Sequence, residues 1–410
     1  MQTAAALSAT AARPLAVALV TETWPPEVNG VAMTLSRLVD GLLRRGHRVQ
    51  LIRPRRPGEA AVQHAADDIH VVPLPGWRLP IYRQLQFGLP AARRLQALWG
   101  EQRPDLVHIA TEGPLGASAL QVARRLGLPV ASGFHTNFHA YSRYYGFRWL
   151  TAPINAWLRH FHRRCDVTLV PTAALAARLA ADGFGRTEVM SRGIDTALFH
   201  PGRRDAALRA DWGVSDDTPV VLGVGRLAPE KNWGLAVRAF HAIRAAVPQA
   251  RMVIAGEGPE HERLRAALPD ALFCGELPPT RLAACYASAD LFLFPSLTET
   301  FGNVTLEAMA SGVAVLAYAC AAAGEVIESG CNGLTVAPAD ETAFVAAAVR
   351  LAADADLRRR LGAAAAGSVQ ARGWDAVVLS VESTYFDLLL PQEVGNERTT
   401  AVAGADRAPE

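Results

Sequence analysis

The chain has 410 residues, half of them hydrophobic and a fifth charged, with a net charge of +2. That length accommodates two domains with substantial cores, and that balance is ordinary for an α/β enzyme rather than a disordered or fibrous protein. The five cysteines (Cys165, Cys274, Cys285, Cys320 and Cys331) are odd in number and contain no C-x-x-C pair, which argues against a disulfide framework or zinc site and fits a reducing compartment.

Residues 1–13 carry an alanine-rich stretch with no basic segment ahead of it, so they read as a disordered tail rather than a signal peptide. No apolar run reaches the roughly 18 residues of a membrane span. From residue 14 to 195, apolar runs alternate with helical patterns. Strands are predicted at 15–21, 48–53, 106–110, 130–134 and 167–170, and a helix at 31–45 from the spacing of Val31, Leu35, Leu38 and Leu42. Residues 58–100 show no clear period. A second series occupies 196–373, with strands at 220–224, 252–255, 272–274, 291–294 and 313–317. The aperiodic stretch 191–204 is the expected linker. Residues 374–390 read as an amphipathic helix, and 391–410 as a polar disordered tail. Unbroken apolar strands separated by helices imply parallel sheets covered on both faces, hence two Rossmann-like doubly wound α/β domains facing across a cleft. Ligands in such sheets bind beyond the carboxyl ends of the strands.

The charge is unevenly distributed. Residues 1–200 hold 23 arginines against 13 acidic residues, and the remainder holds 18 basic against 26 acidic. One basic cluster is Arg44, Arg45, Arg48, Arg53, Arg55 and Arg56. A second, 143–164, is interleaved with Tyr144, Tyr145, Phe147, Trp149, Trp157 and Phe161. Cations among aromatics suit an anionic membrane surface; a solvated helix face over core aromatics is the plainer alternative. No nucleic-acid module signature is present.

Lys231 is the only lysine; every other residue of the basic count is arginine. It follows the strand 220–224 in Gly225-Arg226-Leu227-Ala228-Pro229-Glu230-Lys231. A compact, mobile ammonium suits a single phosphate oxygen, where arginine offers a planar fork. Retention by drift is the competing explanation. After the strand 291–294 comes Pro295-Ser296-Leu297-Thr298-Glu299-Thr300-Phe301-Gly302-Asn303-Val304-Thr305-Leu306-Glu307. Here Asn303 is expected to cap a helix whose first-turn amides face an anion. Glu299 and Glu307 can accept from sugar and ribose hydroxyls. In the first half, the Asn29-Gly30 pair permits a positive φ and close approach of a ligand, and His135 sits at the carboxyl end of the strand 130–134. There is no G-x-G-x-x-G, which argues against a nicotinamide or flavin cofactor.

Taken together, these segments resemble the retaining glycosyltransferases of family 4, which have the GT-B fold. The resemblance spans roughly residues 15–390. It rests on Glu299…Glu307 (E-x7-E), Gly225-Arg226…Lys231, Asn29-Gly30, Gly256-Glu257-Gly258-Pro259, Arg192-Gly193-Ile194-Asp195 and Phe199-His200-Pro201. Around His135-Thr136 the likeness is to bacterial mannosyltransferases and glycolipid synthases. The stretch from Ala317 to Ala323 departs from the family, where a polar or acidic residue often follows the aromatic position. The resemblance implies that Arg226 and Lys231 bind the donor pyrophosphate and Glu307 its ribose. It also implies that Glu299 contacts the transferred sugar, His135 lies by the anomeric side, and Gly30 lets its loop approach the phosphate. Leu277 would lie near the base, and Gly302, Asn303 and Val304 at the phosphate-facing helix start. No cofactor or metal is expected, because two cations and helix-start amides can offset charge on the leaving nucleotide. The one D-x-D, Asp354-Ala355-Asp356, lies far from these motifs.

The expectation is therefore a metal-independent, retaining α-glycosyltransferase moving a hexose, GDP-mannose being the favoured donor, onto a membrane lipid. The enzyme would lie in the cytoplasm, peripherally on the inner face of the cytoplasmic membrane. UDP-glucose or UDP-glucuronate transfer to diacylglycerol, a sugar-nucleotide epimerase or hydrolase, and a non-catalytic sugar-nucleotide binder remain open alternatives.

Overall fold

Apolar runs that are buried along their whole length become the inner strands of two parallel sheets in a computed structural model describing residues 13–27, 29–56, 58–59, 63–65, 68–78, 86–135 and 151–390. The first sheet contains β1 (Ala16–Val20), β2 (Arg48–Pro54), β3 (Gln63–Ala65) and β4 (Ile69–Leu74). A hairpin, β5 (Gly76–Arg78) with β6 (Gln86–Gly88), precedes β7 (Leu106–Ile109), β8 (Val130–Gly133), β9 (Val167–Val170) and β10 (Thr187–Val189). The strand order is β10-β9-β8-β7-β1-β2-β4-β3, parallel except for the β3 edge. Helices α1 (Gly30–Arg44), α2 (Ala92–Glu101), α3 (Pro114–Arg125), α4 (Thr151–His162) and α5 (Ala173–Ala181) connect these strands. Within 58–100, where no period was legible, lie three short strands, β4 and α2. Three-residue strands are too brief to express an alternation.

The second sheet is β11 (Val220–Val224), β12 (Arg251–Ala255), β13 (Leu272–Phe273), β14 (Leu291–Phe294), β15 (Ala314–Tyr318) and β16 (Leu334–Val336), in the order β13-β12-β11-β14-β15-β16. Its helices are α6 (Ala206–Asp211), α7 (Trp233–Ala246), α8 (His261–Ala267), α9 (Pro279–Ser288), α10 (Asn303–Ala310) and α11 (Ala321–Val326). Two more, α12 (Glu341–Ala353) and α13 (Ala355–Ser368), complete this half. The strand order reverses between β1 and β7 in one sheet and between β11 and β14 in the other. Loops diverge to opposite faces at such points and leave a crevice outside the carboxyl ends.

The chain crosses between the halves twice, side by side, with Ile194 N donating to Arg372 O at 2.9 Å. After the second crossing, α14 (Trp374–Leu389) returns to the first half. There Val377, Val378, Val381, Tyr385 and Leu388 join the cluster that holds Leu35, Leu38 and Leu42 of α1. Burial of five such side chains is worth on the order of 10 kcal/mol before conformational entropy is subtracted. Polar contacts fix the register. Glu382 receives Arg45 and His47, each at 2.7 Å, and the Tyr385 hydroxyl lies 2.5 Å from His108 Nδ1.

Four arginines of the first basic cluster have partners within the fold. Arg44 pairs with Asp375, Arg45 with Glu382, and Arg53 with Glu59, while Arg56 donates to the backbone of Trp24 and Pro25. Of these, only the Arg53 pair is buried; Arg44 and Arg48 are exposed. In the second cluster Phe161 is core and Trp157 is exposed, with Arg159, Arg163 and Arg164 facing solvent; Tyr144, Tyr145, Phe147 and Trp149 fall outside the described residues.

Candidate functional site

At the β11/β14 crevice, three consecutive strand-end loops are laced together by their backbones. Gly225 N donates to Ala255 O (3.0 Å), Leu227 N to Glu257 O (2.8 Å) and Gly256 N to Gly275 O (2.8 Å). Gly256 (φ +142) sits so close to Gly225 that a Cβ there would lie 2.0 Å from its carbonyl oxygen, so only glycine allows this approach. The lacing brings Arg226, Glu257 and the Gly275–Leu277 stretch onto one rim. Leu277 is half-buried against the second-half core.

Lys231 ends a short 3-10 turn, Pro229–Lys231, and its ammonium pairs with Glu299 across the switch point. The Nζ also lies 5.8 Å from the Phe294 ring centroid. Glu299 is further fixed by the Ser296 hydroxyl at 2.8 Å, and Arg226 pairs with Glu230. Both cations are thus oriented by carboxylates before any ligand arrives.

The cap of α10 differs from the expected one. Gly302, at φ +92, is the capping residue, and Asn303 is the first helical residue; no side chain caps the start. A left-handed turn here requires glycine, and it leaves the first-turn amides of Asn303 and Val304 without a side-chain acceptor, the arrangement that favours an anion. Val304 packs beneath on the core. Gly30 also differs: it begins α1 without a positive φ, while the Asn29 side chain accepts from Val31 N and Ala32 N (3.1 and 2.8 Å). A Cβ on Gly30 would meet only Asn303 Nδ2, at 3.9 Å, so the two helix starts face each other across the cleft.

Glu307, one turn further along α10, accepts from the buried Tyr286 hydroxyl at 3.1 Å. Burial pushes its carboxyl up to about 7, opposed by that hydrogen bond. A carboxyl held near neutrality does not repel a neighbouring phosphate as a full anion would.

In the first half, His135 is at the end of β8 but buried, with Arg192 Nη2 donating to its Nδ1 at 3.0 Å. An arginine can only donate, so Nδ1 is the acceptor and the ring proton belongs on Nε2. Burial, then the Arg192 charge, holds the imidazole well below its ordinary value, so it is neutral at physiological pH. Nε2 has no hydrogen-bond partner among the described residues.

Two groups at the β1/β7 crevice were not singled out from sequence. Glu22 follows β1 and is pushed up to about 7, chiefly by burial and also by Glu112, while its bonds from Gly88 and Leu115 pull it down. Glu112 follows β7 and meets His162 Nε2 at 3.1 Å. Their signal was position: each comes one to three residues after an apolar strand.

The departing stretch 317–323 is tied to this site through its backbone. Ala322 N donates to Phe301 O at 2.8 Å, and Cys320 Sγ approaches Ser296 O at 3.6 Å. Asp354 caps α13 through Leu357 N, and Asp356 pairs with Arg359, so both carboxylates of the D-x-D are engaged locally.

Residues 28–198 match the family model described as Glycosyltransferase Family 4, and residues 218–354 the one described as Glycosyl transferases group 1. A GDP-mannose-dependent alpha-mannosyltransferase of Mycolicibacterium smegmatis is 38% identical over 88% of this chain and 94% of its own length. An alpha-monoglucosyldiacylglycerol synthase of Acholeplasma laidlawii is 26% identical over 91% of this chain and 97% of its own. Among solved structures, a sucrose-phosphate synthase from Thermosynechococcus elongatus superposes with a TM-score of 0.74 at 22% identity, covering 91% of this chain and 99% of that one. The two facing parallel-sheet halves are the GT-B fold that the motifs implied.

Proposed function

Because this chain belongs to glycosyltransferase family 4 and is a hexosyltransferase, we propose that it transfers mannose from GDP-mannose, with retention, to a hydroxyl of a membrane lipid. The observation that carries this reading is the constellation at the β11/β14 crevice. A lone lysine is oriented by Glu299 opposite an uncapped helix start, with a near-neutral Glu307 one turn in. In this reading residues 196–373 hold the donor and 14–195 the acceptor.

The donor pyrophosphate lies between Arg226, Lys231 and the amides of Asn303 and Val304, with its ribose on Glu307 and its base by Leu277. Gly30 leaves room at the phosphate from the opposite rim. Glu299 contacts the mannose, and the neutral His135 donates toward it from Nε2. The acceptor oxygen attacks the anomeric carbon on the face from which the nucleotide leaves. The new carbon–oxygen bond forms as the bond to phosphate breaks, and the acceptor proton passes to the departing phosphate oxygen. The cations and helix-start amides stabilise the charge that develops on that oxygen, without a metal.

The lipid acceptor is favoured by the exposed basic surface at the end of α4, where Arg159 on the helix and Arg163 and Arg164 in the turn after it accompany Trp157, exposed by 45%. No helix among the described residues is long and apolar enough to cross a membrane. Association with the anionic inner face of the cytoplasmic membrane would therefore be peripheral. The name of the Acholeplasma relative supports a second reading, transfer of glucose to diacylglycerol, with UDP-glucose as the donor in that reading.

A thermal-shift panel of GDP-, UDP- and ADP-sugars, followed by product analysis with labelled donor, tests the proposal. A sugar nucleotide that binds only the folded state, at 100 times its dissociation constant, stabilises by about 2.7 kcal/mol. Preferential stabilisation by GDP-mannose and label in a lipid product are expected. Free mannose, an isomerised donor or no turnover refutes transfer.

A further inference from the structure

Tyr286 is fully buried in α9, and two rings hold its own nearly edge-on. The Phe199 centroid is 6.0 Å away at 74°, and the Phe292 centroid 5.7 Å away at 68°. Phe199 belongs to the segment that crosses between the two halves, and Phe292 to β14. A phenol held against two rings has its hydroxyl fixed in space, and that hydroxyl donates to Glu307 Oε2 at 3.1 Å. The other carboxyl oxygen, Oε1, has no hydrogen-bond partner among the described residues. Glutamate has three rotatable side-chain bonds, so without the phenol the carboxyl would sample several positions at the crevice. Helix α9 also begins directly after the loop that carries Leu277. One rigid element therefore sets both the position assigned to the base and the orientation of the carboxyl assigned to the ribose.

We propose that Tyr286 is a positioning residue for donor recognition: its hydroxyl holds Glu307 so that the free carboxyl oxygen receives the ribose hydroxyls of the nucleotide sugar. This rests on the assignment of Glu307 to the ribose. Tyr286 touches no part of the donor and acts through Glu307.

The elements packed against α10 are α9, α11, α13 and β15. From α9, the Tyr286 hydroxyl acts on Glu307 directly, and the Cys285 thiol lies beside it. Glu325 of α11 instead receives Ala174 N of the first half at 3.3 Å. On α13, Arg358 donates to Leu351 O at 2.7 Å and Arg359 pairs with Asp356. Tyr318, at the end of β15, packs tilted against Phe344. The hydrogen bond from Tyr286 is what lowers the Glu307 carboxyl against its burial. Its removal therefore moves the pH at which the carboxyl ionises upward.

The experiment compares wild type, Tyr286→Phe and Glu307→Gln on GDP-mannose and on its 2′-deoxyribose analogue, with UDP-glucose and its analogue used if that is the donor the wild type turns over. The expected result for Tyr286→Phe is a donor KM raised about tenfold, the magnitude of one charge-assisted hydrogen bond, with kcat little changed. Its preference for the ribose over the deoxyribose donor should collapse. The acid limb of its kcat/KM profile should move to higher pH. A merely structural role would weaken both donors equally and leave the limb in place, and that result overturns the proposal. Glu307→Gln separates the two claims. If it keeps the ribose preference, the assignment of Glu307 is wrong. If it loses the preference while Tyr286→Phe, with an unchanged circular-dichroism spectrum, retains it, the assignment stands and Tyr286 is not the positioning group.

Discussion

Replacing Glu307 by glutamine should stabilise the protein at neutral and alkaline pH, and little at pH 5. The folded chain keeps the Glu307 proton to about pH 7, whereas an unfolded carboxyl releases it near 4.5. Between those values the folded state binds more protons, so the stability attached to this group is full below 4.5 and falls as pH rises through 7. At pH 8 the buried anion costs the fold about 3 kcal/mol, and at pH 5 less than about 1 kcal/mol. Against a typical total of roughly 5–15 kcal/mol the difference is measurable. Glutamine keeps the size and an acceptor for Tyr286 but carries no charge, so it escapes the cost. Urea unfolding of both proteins at pH 5 and pH 8, followed by circular dichroism, should show the variant gaining about 2–3 kcal/mol relative to wild type between the two conditions. Other groups that titrate in this range, Glu22 among them, are common to both proteins and cancel. A variant-minus-wild-type difference that is the same at both pH values would refute the claim that Glu307 is held near neutrality.

Lys231→Arg should lower kcat/KM for the donor by at least about tenfold despite preserving charge, because a planar fork cannot reproduce both the pairing with Glu299 and a point contact on phosphate; near-normal kinetics would mean that the lone lysine is drift. Activity should survive EDTA, since Arg226, Lys231 and the amides at Asn303 and Val304 occupy the role of a cation; loss on chelation with recovery in Mg²⁺ or Mn²⁺ would overturn this. Flotation on vesicles should need anionic lipid, weaken with salt over a Debye length of about 8 Å, and fail in an Arg159/Arg163/Arg164 charge-reversal variant. Equal flotation on neutral vesicles, or none on either, would move a soluble acceptor ahead of a lipid.

Much of this architecture is written locally in the chain. Val220–Val224 and Leu291–Phe294 are apolar at every position or nearly so, and short runs of this kind, rich in β-branched and aromatic residues, fit strands covered on both faces. Leu35, Leu38 and Leu42 mark the buried stripe of α1, and Asn29 its cap. Because side-chain period and turn chemistry act within a few residues, the strand ends that carry Arg226, Lys231 and Glu299 were readable without coordinates. Who stands beside whom was not. Glu299 meets Lys231 across 68 residues, and Arg192 meets His135 across 57, because the sheets reverse direction at β11/β14 and the chain crosses between the halves where it does. Arg44, Arg45 and Arg53 read as a basic cluster, and the fold supplies their partners from α14 and Glu59. Gly302 replaced Asn303 as the cap of α10 because the loop from Pro295 enters through a left-handed turn. The ionisation of Glu22, Glu307 and His135 depends on the amount of low-dielectric material folded around each, and desolvation is a property of the assembled volume that no local pattern of residues encodes.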